Sequence, residues 1–237
     1  LLGIIDPDAG TRTLLGSDRP ISQSRNVGYL PEERGLYQSM RAVDTIAFMG
    51  ALRGLPLKEA AANSMIVEAN AMVLSTIGSG KPTSRTVLLK DVTSSGFIFF
   101  TNYGSRKANE ISNNSAVSLL FPWYPMERQV IVIGSATKID REVSEQYFAT
   151  RPWSSQIGAL ASSQSEVIDS RQVLEERFKE LAEKYPQGSV VPKPENWGGY
   201  LVKPSSIEFW QGRYSRLHDR LRFNLSGSNW NLERLSP

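Results

Sequence analysis

The chain has 237 residues, enough for one sizeable domain with a substantial core, and 40% of them are hydrophobic. A net charge of +3 is too small to indicate a nucleic-acid-binding protein. The absence of cysteine excludes disulfides, thiolate metal sites and cysteine nucleophiles, and a single histidine, His218, excludes a multi-histidine metal site.

The first residues, Leu1–Ile5, are apolar, but Asp6 and Asp8 end this run far short of a membrane span. No basic region precedes it, so we expect no signal peptide and a cytoplasmic protein. The chain does not begin with methionine, which favours a truncated or joined sequence.

Residues 1–58 contain the run GYLPEERGLY at Gly28–Tyr37 and a predicted helix over Val43–Arg53, which Gly54 and Pro56 end. This stretch resembles the part of an ABC-transporter ATPase between the phosphate-binding loop and the signature motif. It contains none of the motifs that bind and hydrolyse ATP. We therefore expect 1–58 to be a non-catalytic, ATPase-like fragment, and fusion, mis-assembly and an engineered join all stay open.

The sequence GSGKP at Gly78–Pro82 imitates a phosphate-binding loop. Ser75 stands where the first glycine of that loop would be, and Pro82 replaces the hydroxyl residue that would hold magnesium. We expect this segment to be a turn.

Residues 57–69 predict a short helix, and from there the pattern becomes that of short strands. Turn-forming residues at Gly78–Lys81, Asp91–Gly96 and Asn102–Ser105 separate them, which indicates an antiparallel barrel or sandwich. The predicted strands are Ala71–Ile77, Ser84–Leu89, Phe97–Thr101, Val117–Phe121, Gln129–Lys138, Tyr200–Val202, Ile207–Trp210, Leu221–Asn224 and Trp230–Leu235.

Two further helices are predicted, Val143–Arg151 and a second from residue 169 or 170 to Tyr185. The second carries Leu174, Phe178, Leu181 and Tyr185 at helical spacing, which we interpret as core packing.

Ile207–Arg220 predicts a strand, a turn at Gly212 and a second strand that together gather Trp210, His218 and several arginines. Such a cluster suits a planar anionic ligand, and it also suits a hairpin with a solvated basic edge.

The runs EFWQG at Glu208–Gly212 and RLHDR at Arg216–Arg220 resemble the C-terminal signature of the pyridoxamine 5′-phosphate oxidase family, and the likeness extends over about 60–237. The resemblance implies that 59–237 form a mainly β, antiparallel FMN-binding split barrel with flanking helices. It also implies a homodimer with FMN at the interface. The implied reaction oxidises pyridoxamine or pyridoxine 5′-phosphate to pyridoxal 5′-phosphate with O₂, and no metal, nucleic acid or membrane partner is implied.

The run RTVLLK is the first FMN segment that the resemblance implies, with Lys90 also reaching the substrate phosphate. Without the resemblance, the same run is also consistent with an amphipathic strand that has charged ends. Its residues are Arg85, Thr86, Val87, Leu88, Leu89 and Lys90.

A second segment brings Arg106 and Lys107 to a predicted helix start after a glycine turn, where free N–H groups and the helix dipole favour a phosphate. The resemblance implies that both bind FMN, together with Phe100 and Thr101. It adds further FMN contacts at Gln129, Gln164, Ser165, Trp210 and Arg220.

Tyr147 and Arg151 lie one helical turn apart, and Ser155 follows Pro152. A phenol, a guanidinium and a hydroxyl could hold a phosphate dianion, although such a pair is also common as a surface contact. The resemblance implies that these three residues bind the substrate phosphate. It implies that Arg216 and His218 are catalytic and orient the pyridine ring, and it places Glu68 near the site.

The family's N-terminal arm, which covers the active site, is replaced here by the ATPase-like stretch, so substrate affinity and closure are in question. Two alternatives therefore stand beside the main interpretation. One is a related split-barrel flavin oxidase acting on another aromatic compound. The other is a chimeric chain that binds FMN or pyridoxal phosphate without turnover.

Overall fold

A computed structural model describes residues 70–124 and 127–237. The predictions for 1–58, for the helix at 57–69 and for Glu68 lie outside these residues. Within them the chain forms nine strands, which belong to one sheet, and four α-helices. In chain order they are β1 Ala71–Gly78, β2 Lys81–Leu88, β3 Asp91–Thr93, β4 Gly96–Asn102, α1 Arg106–Asn113, β5 Ala116–Trp123, β6 Arg128–Lys138, α2 Arg141–Ala149, α3 Trp153–Ala161, α4 Arg171–Lys184, β7 Trp197–Gln211, β8 Asp219–Ser226 and β9 Asn229–Leu235.

All strand pairs are antiparallel, in the order β2-β1-β5-β6-β7-β4-β3. The long strand β7 pairs with β6 from Tyr200 to Gln211, while its first part pairs with β4 and its last part also pairs with β8. A register shift at Ile133/Gly134 accommodates this branching. A hydrogen bond of 2.8 Å from the Lys90 N–H to the Ile98 oxygen links the end of β2 back to β4. The mainly β, antiparallel split barrel is therefore confirmed.

The barrel core follows from alternation along the strands, because every second side chain faces inward. In β1, Met72 and Leu74 are completely buried between partly exposed neighbours. The largest buried side chains of the barrel are Met72, Leu74, Phe97, Phe99, Leu119, Val132, Tyr200, Val202, Ile207 and Phe223.

A second cluster lies where the helices cover the start of β7. Trp197 packs there with Phe148 of α2 and Ile157 of α3. The predicted stripe of α4 contributes only in part, because Phe178, Leu181 and Tyr185 pack against this cluster while no residue of α4 is fully buried. In the described part of the chain, the longest helix has 14 residues, and no helix is long and apolar enough to cross a membrane.

Three sequence predictions of local structure were wrong. The segment expected as a turn at Asp91–Gly96 contains strand β3, which pairs with β4. The two strands expected at Tyr200–Val202 and Ile207–Trp210 are one continuous β7, because the bulge opposite Gly134 lets the strand continue through Pro204. The helix expected over Val143–Arg151 ends at Ala149, and a separate helix, α3, begins after Pro152.

The sequence Gly78–Pro82 is the hairpin that joins β1 to β2, as expected for a turn. Ser79 and Gly80 take φ angles of 50° and 74°, the paired positive values of a tight two-residue hairpin turn.

Candidate functional site

Three basic side chains surround the start of α1 and form what we call the cationic cradle: Arg85, Arg106 and Lys107. Arg85 lies on β2 opposite Leu74, so it shares the inner face of the sheet at the end that α1 covers. Arg106 and Lys107 are the first two residues of α1, as the glycine turn before them predicted. The cradle therefore joins one strand and one helix start.

Lys107 is the buried cation of the cradle, with a residue exposure of 8%. Its ammonium donates to Thr101 Oγ1 at 2.9 Å, Ser105 Oγ at 3.1 Å and Gln164 Oε1 at 3.0 Å. Burial, followed by the nearby charge of Arg85, lowers the pKa of Lys107 to about 8. An anion at this place would relieve both effects.

Gln164 and Ser165 come to the cradle from the loop after α3. The amide oxygen of Gln164 accepts from Thr101 Oγ1 at 3.1 Å, and the Ser165 hydroxyl accepts from the Arg106 backbone N–H at 3.2 Å. Ser165 has a φ angle of 75°, a left-handed conformation that is uncommon outside glycine. Oxygen acceptors thus already satisfy the donors that a phosphate would use.

Beside the cradle, three aromatic rings form a stack at the start of β7. Phe100 stacks on both Tyr147 and Trp197, with ring centroids 4.0 and 5.2 Å away and nearly parallel planes. The guanidinium carbon of Arg151 lies 4.9 Å from the centroid of Trp197. Burial raises the pKa of Tyr147 and lowers that of Arg151.

The Nη1 atom of Arg151 is buried and has no hydrogen-bond partner among the described residues. An unsatisfied buried donor on a cation is costly, so this atom is suited to an anionic ligand. The three residues do not share a helix: Tyr147 lies on α2, Arg151 follows the end of α2, and Ser155 lies in the first turn of α3.

At the opposite end of β7, side chains line up across three strands. Gln129 of β6 is paired with Trp210 of β7, which is paired with Arg220 of β8. Directly paired residues project to the same face, and this row lies on the face opposite to the buried Ile207. Arg220 donates to Glu208 Oε1 at 2.8 Å. The row therefore presents an amide, an indole and a guanidinium away from the barrel core.

His218 packs against this row, with its ring centroid 4.7 Å from that of Trp210. Its Nδ1 accepts a 3.1 Å bond from the Arg213 backbone N–H, so the neutral ring carries its proton on Nε2. A cavity of about 310 Å³ opens here. Its lining residues are Tyr124, Glu127, Arg128, Gln129, Trp210, Gly212, Arg213 and His218.

Arg216 lies in the loop between β7 and β8, where it is exposed. Ser215 and Arg216 have φ angles of 57° and 62°, and consecutive left-handed residues other than glycine are strained. Strain of this kind is frequent at functional sites. The structure does not bring Arg216 into the lining of the cavity.

The candidate residues thus fall into two groups at the two ends of β7. The first comprises the cradle and the aromatic stack around Trp197, and the second comprises Trp210, its neighbours and His218. The thirteen positions from Trp197 to Trp210 extend up to about 43 Å along a strand. One protomer therefore does not unite the two groups in a single site.

The remaining residues of the first FMN segment lie on β2 and just beyond it. Arg85 and Val87 are opposite Leu74 and Met72, so they face the barrel interior, while Thr86 and Leu88 project to the other face. Leu89 is buried after the strand ends, and Lys90 is exposed.

Glu110, which contacts both arginines of the cradle, was not predicted from the sequence. It accepts hydrogen bonds from Thr76, Thr83, Arg85 and Arg106, and only its spacing of four residues from Arg106 could have indicated it.

Comparison with known families matches 58–185 to the model described as pyridoxamine 5′-phosphate oxidase. Residues 197–237 match the model described as the pyridoxine 5′-phosphate oxidase C-terminal dimerisation region. The ATPase-like stretch lies outside both matches and stays a prediction.

Curated relatives extend this likeness over most of the chain. A pyridoxine/pyridoxamine 5′-phosphate oxidase of Streptomyces avermitilis is 52% identical over 181 residues, or 76% of this chain and 81% of that protein. The enzyme of the same name from Rubrobacter xylanophilus is 52% identical over 180 residues, or 76% of this chain and 82% of that protein.

Among solved structures, PhzG from Burkholderia lata, in complex with tetrahydrophenazine-1-carboxylic acid, has a TM-score of 0.73 and 26% identity, covering 84% of this chain and 97% of that one. A pyridoxamine 5′-phosphate oxidase-related, FMN-binding protein of Nostoc punctiforme has a TM-score of 0.64 at 14% identity, covering 85% and 100%, which supports the fold alone. By its two family matches and its relatives, this chain belongs to the pyridoxamine 5′-phosphate oxidase family.

Proposed function

We propose that this chain is an FMN-dependent oxidase that converts pyridoxamine 5′-phosphate or pyridoxine 5′-phosphate to pyridoxal 5′-phosphate. The proposal rests on relatives that are about 50% identical over roughly three quarters of the chain and are named pyridoxine/pyridoxamine 5′-phosphate oxidase. With the alcohol, O₂ is reduced to hydrogen peroxide. With the amine, water is also consumed and ammonia is released.

The cationic cradle fits the phosphate of FMN. It combines three cations with one carboxylate, Glu110, so the group is net positive and suits a dianion. Arg85, Arg106 and Lys107 would hold the phosphate near the N–H groups at the start of α1. FMN, when bound, supplies hydride acceptance and the reaction with O₂.

The substrate phosphate would lie at the aromatic stack. The unpartnered Nη1 of Arg151 could donate to it, with Tyr147, Ser155 and Lys90, the last residue of the first FMN segment, as further donors. The two phosphates would then lie on opposite sides of β4, because Phe100 and Thr101 project to opposite faces.

We propose a homodimer in which each site draws on both protomers. The family match over 197–237 is to a dimerisation region, and the two groups of candidate residues lie at opposite ends of β7. Gln129, Trp210 and Arg220 of one protomer would line the flavin ring held by the cradle of the other. Arg216 and His218 would orient the pyridine ring, so their contribution is positioning.

The structural likeness to PhzG favours a second candidate, oxidation of a non-phosphorylated polycyclic aromatic acid. The buried Nη1 atom of Arg151, which has no hydrogen-bond partner among the described residues, supports the phosphorylated substrate instead. Residues 1–58 are proposed to be a non-catalytic, ATPase-like fragment in a cytoplasmic enzyme. The full-length chain is expected not to hydrolyse ATP, so removal of 1–58 should cost no ATP-dependent activity.

The test is aerobic turnover of the purified full-length chain with FMN. Pyridoxamine 5′-phosphate should yield pyridoxal 5′-phosphate and hydrogen peroxide in equal amounts, and dephosphorylated pyridoxamine should react far more slowly. Turnover of a polycyclic acid without turnover of either 5′-phosphate would favour the second candidate.

A further inference from the structure

Glu110 is a buried carboxylate that contacts two of the three cradle cations. Its side-chain exposure is 8%, and its two oxygens bind different arginines. Arg106 Nε donates to Oε1 at 2.8 Å, and Arg85 Nη2 lies 3.2 Å from Oε2. One carboxylate therefore links a guanidinium from β2 to one from α1.

Two threonines fix the carboxylate itself. Thr76 and Thr83, which are paired across β1 and β2, donate to Oε2 at 2.5 and 2.6 Å. These bonds, with those from Arg106, hold the pKa of Glu110 at about 2, so the group is ionised at neutral pH. With its oxygens occupied by donors from the chain, Glu110 has no role as a ligand contact.

Gly78 leaves the space in which Glu110 lies. A Cβ atom at residue 78 would come within 2.6 Å of Glu110 Oε1 and 2.7 Å of its Cγ. The φ angle of Gly78 is not positive, so the glycine is needed here for space and not for backbone conformation.

We propose that Glu110 is a positioning residue that orders Arg85 and Arg106 for the phosphate of FMN before the cofactor binds. The side chain of Arg106 is 68% exposed, and an arginine in that position would otherwise sample many rotamers. Ordering it in advance removes part of the entropy cost from the binding step. This inference depends on the proposed FMN function, and it concerns only the phosphate end of the cofactor.

The test compares the dissociation constants of FMN and riboflavin, which differ only in the phosphate, by flavin fluorescence on the apo form of the full-length chain. In Glu110→Gln the amide can accept on one atom only, so at least one guanidinium loses its anchor. The riboflavin-to-FMN ratio should fall about tenfold, equivalent to about 1.4 kcal/mol. Loss of a merely structural residue would weaken both ligands equally and leave the ratio unchanged, which would overturn the proposal.

Gly78→Ala is the second probe, because it keeps the carboxylate but displaces it. It should lower the ratio in the same direction, and a ratio equal to that of the wild type would count against the proposal. Glu175→Gln is the matched control, since it removes the exposed partner of Arg171 at the same i,i+4 spacing, 2.6 Å away on α4. Its ratio should match the wild type.

Two further outcomes are distinguishable. A ratio that rises in Glu110→Gln would mean that the carboxylate chiefly repels the phosphate, which contradicts positioning. A wild-type ratio near one would contradict the FMN assignment itself, and with it this inference.

Discussion

The Lys107 ammonium lies 3.0 Å from the amide oxygen of Gln164, so a buried cation is stabilised by neutral oxygens in the free chain. Its pKa is lowered to about 8 from an ordinary value of 10.5. A phosphate in the cradle would favour the charged form and raise that pKa. Binding of a phosphate-bearing cofactor should therefore couple to the protonation of Lys107.

We predict that the dissociation constant of FMN rises between pH 7 and pH 9.5 as Lys107 loses its proton near pH 8, because the neutral amine attracts the phosphate less. The constant for riboflavin should stay flat. Fluorescence titration measures both, and Lys107→Met should bind FMN weakly without the pH dependence. Parallel curves for the two flavins would contradict the prediction.

Arg151→Met should raise the KM for pyridoxamine 5′-phosphate by roughly 10- to 100-fold, because a charge-assisted bond is lost. The melting temperature should not fall, since the substitution also removes an unsatisfied buried donor. Arg141→Met at the start of α2, where the exposed Arg141 pairs with Glu145, is the control. Steady-state kinetics and thermal melting check both variants, and an unchanged KM would refute the role.

Arg216→Ala and His218→Ala should each lower kcat roughly 100-fold while FMN stays bound, because their proposed role is to orient the substrate and not to hold the cofactor. Flavin content per chain and turnover per bound flavin are the measurements. Loss of flavin with unchanged turnover per bound flavin would contradict this assignment.

The separation of Trp197 from Trp210 predicts complementation between protomers. Assayed at a substrate concentration far below the raised KM, chains carrying Arg151→Met and chains carrying His218→Ala should each be nearly inactive, but mixed dimers contain one site free of both changes. If chains pair at random, co-expression should restore about a quarter of wild-type activity. Activity no higher than the mean of the two variants would place each site within one protomer.

Glu110 makes the fold sensitive to acid. Its folded pKa of about 2 lies below the ordinary 4.5, so its contribution is complete above about pH 4.5 and is lost as the pH falls toward 2. Urea unfolding at pH 7 and pH 3 should show a smaller pH dependence for Glu110→Gln than for the wild type, and an equal dependence would contradict this.

Much of the site was predictable because its signals are local. The glycine turn before Arg106 indicated a helix start with two cations, and the run around Gly212 indicated a hairpin that pairs Trp210 with Arg220. Helix α3 was missed because Pro152 reads as a break, although proline is also well suited to the start of a helix.

Glu110 was missed for a different reason. Its spacing from Arg106 is the same as in the exposed pairs Arg141–Glu145 and Arg171–Glu175, and only the contact between α1 and the β1–β2 hairpin buries it. The separation of the candidate residues between the two ends of β7 was not predictable either. It depends on β7 being one continuous strand, whereas the sequence predicted two short ones.

The proposed function is tested most directly by the visible spectrum of the FMN-loaded protein, recorded without oxygen before and after addition of pyridoxamine 5′-phosphate. The oxidised flavin bands should bleach upon addition and return when air is admitted, with pyridoxal 5′-phosphate as product. Bound flavin that keeps its oxidised spectrum in the presence of both pyridoxamine and pyridoxine 5′-phosphate would contradict the proposed function.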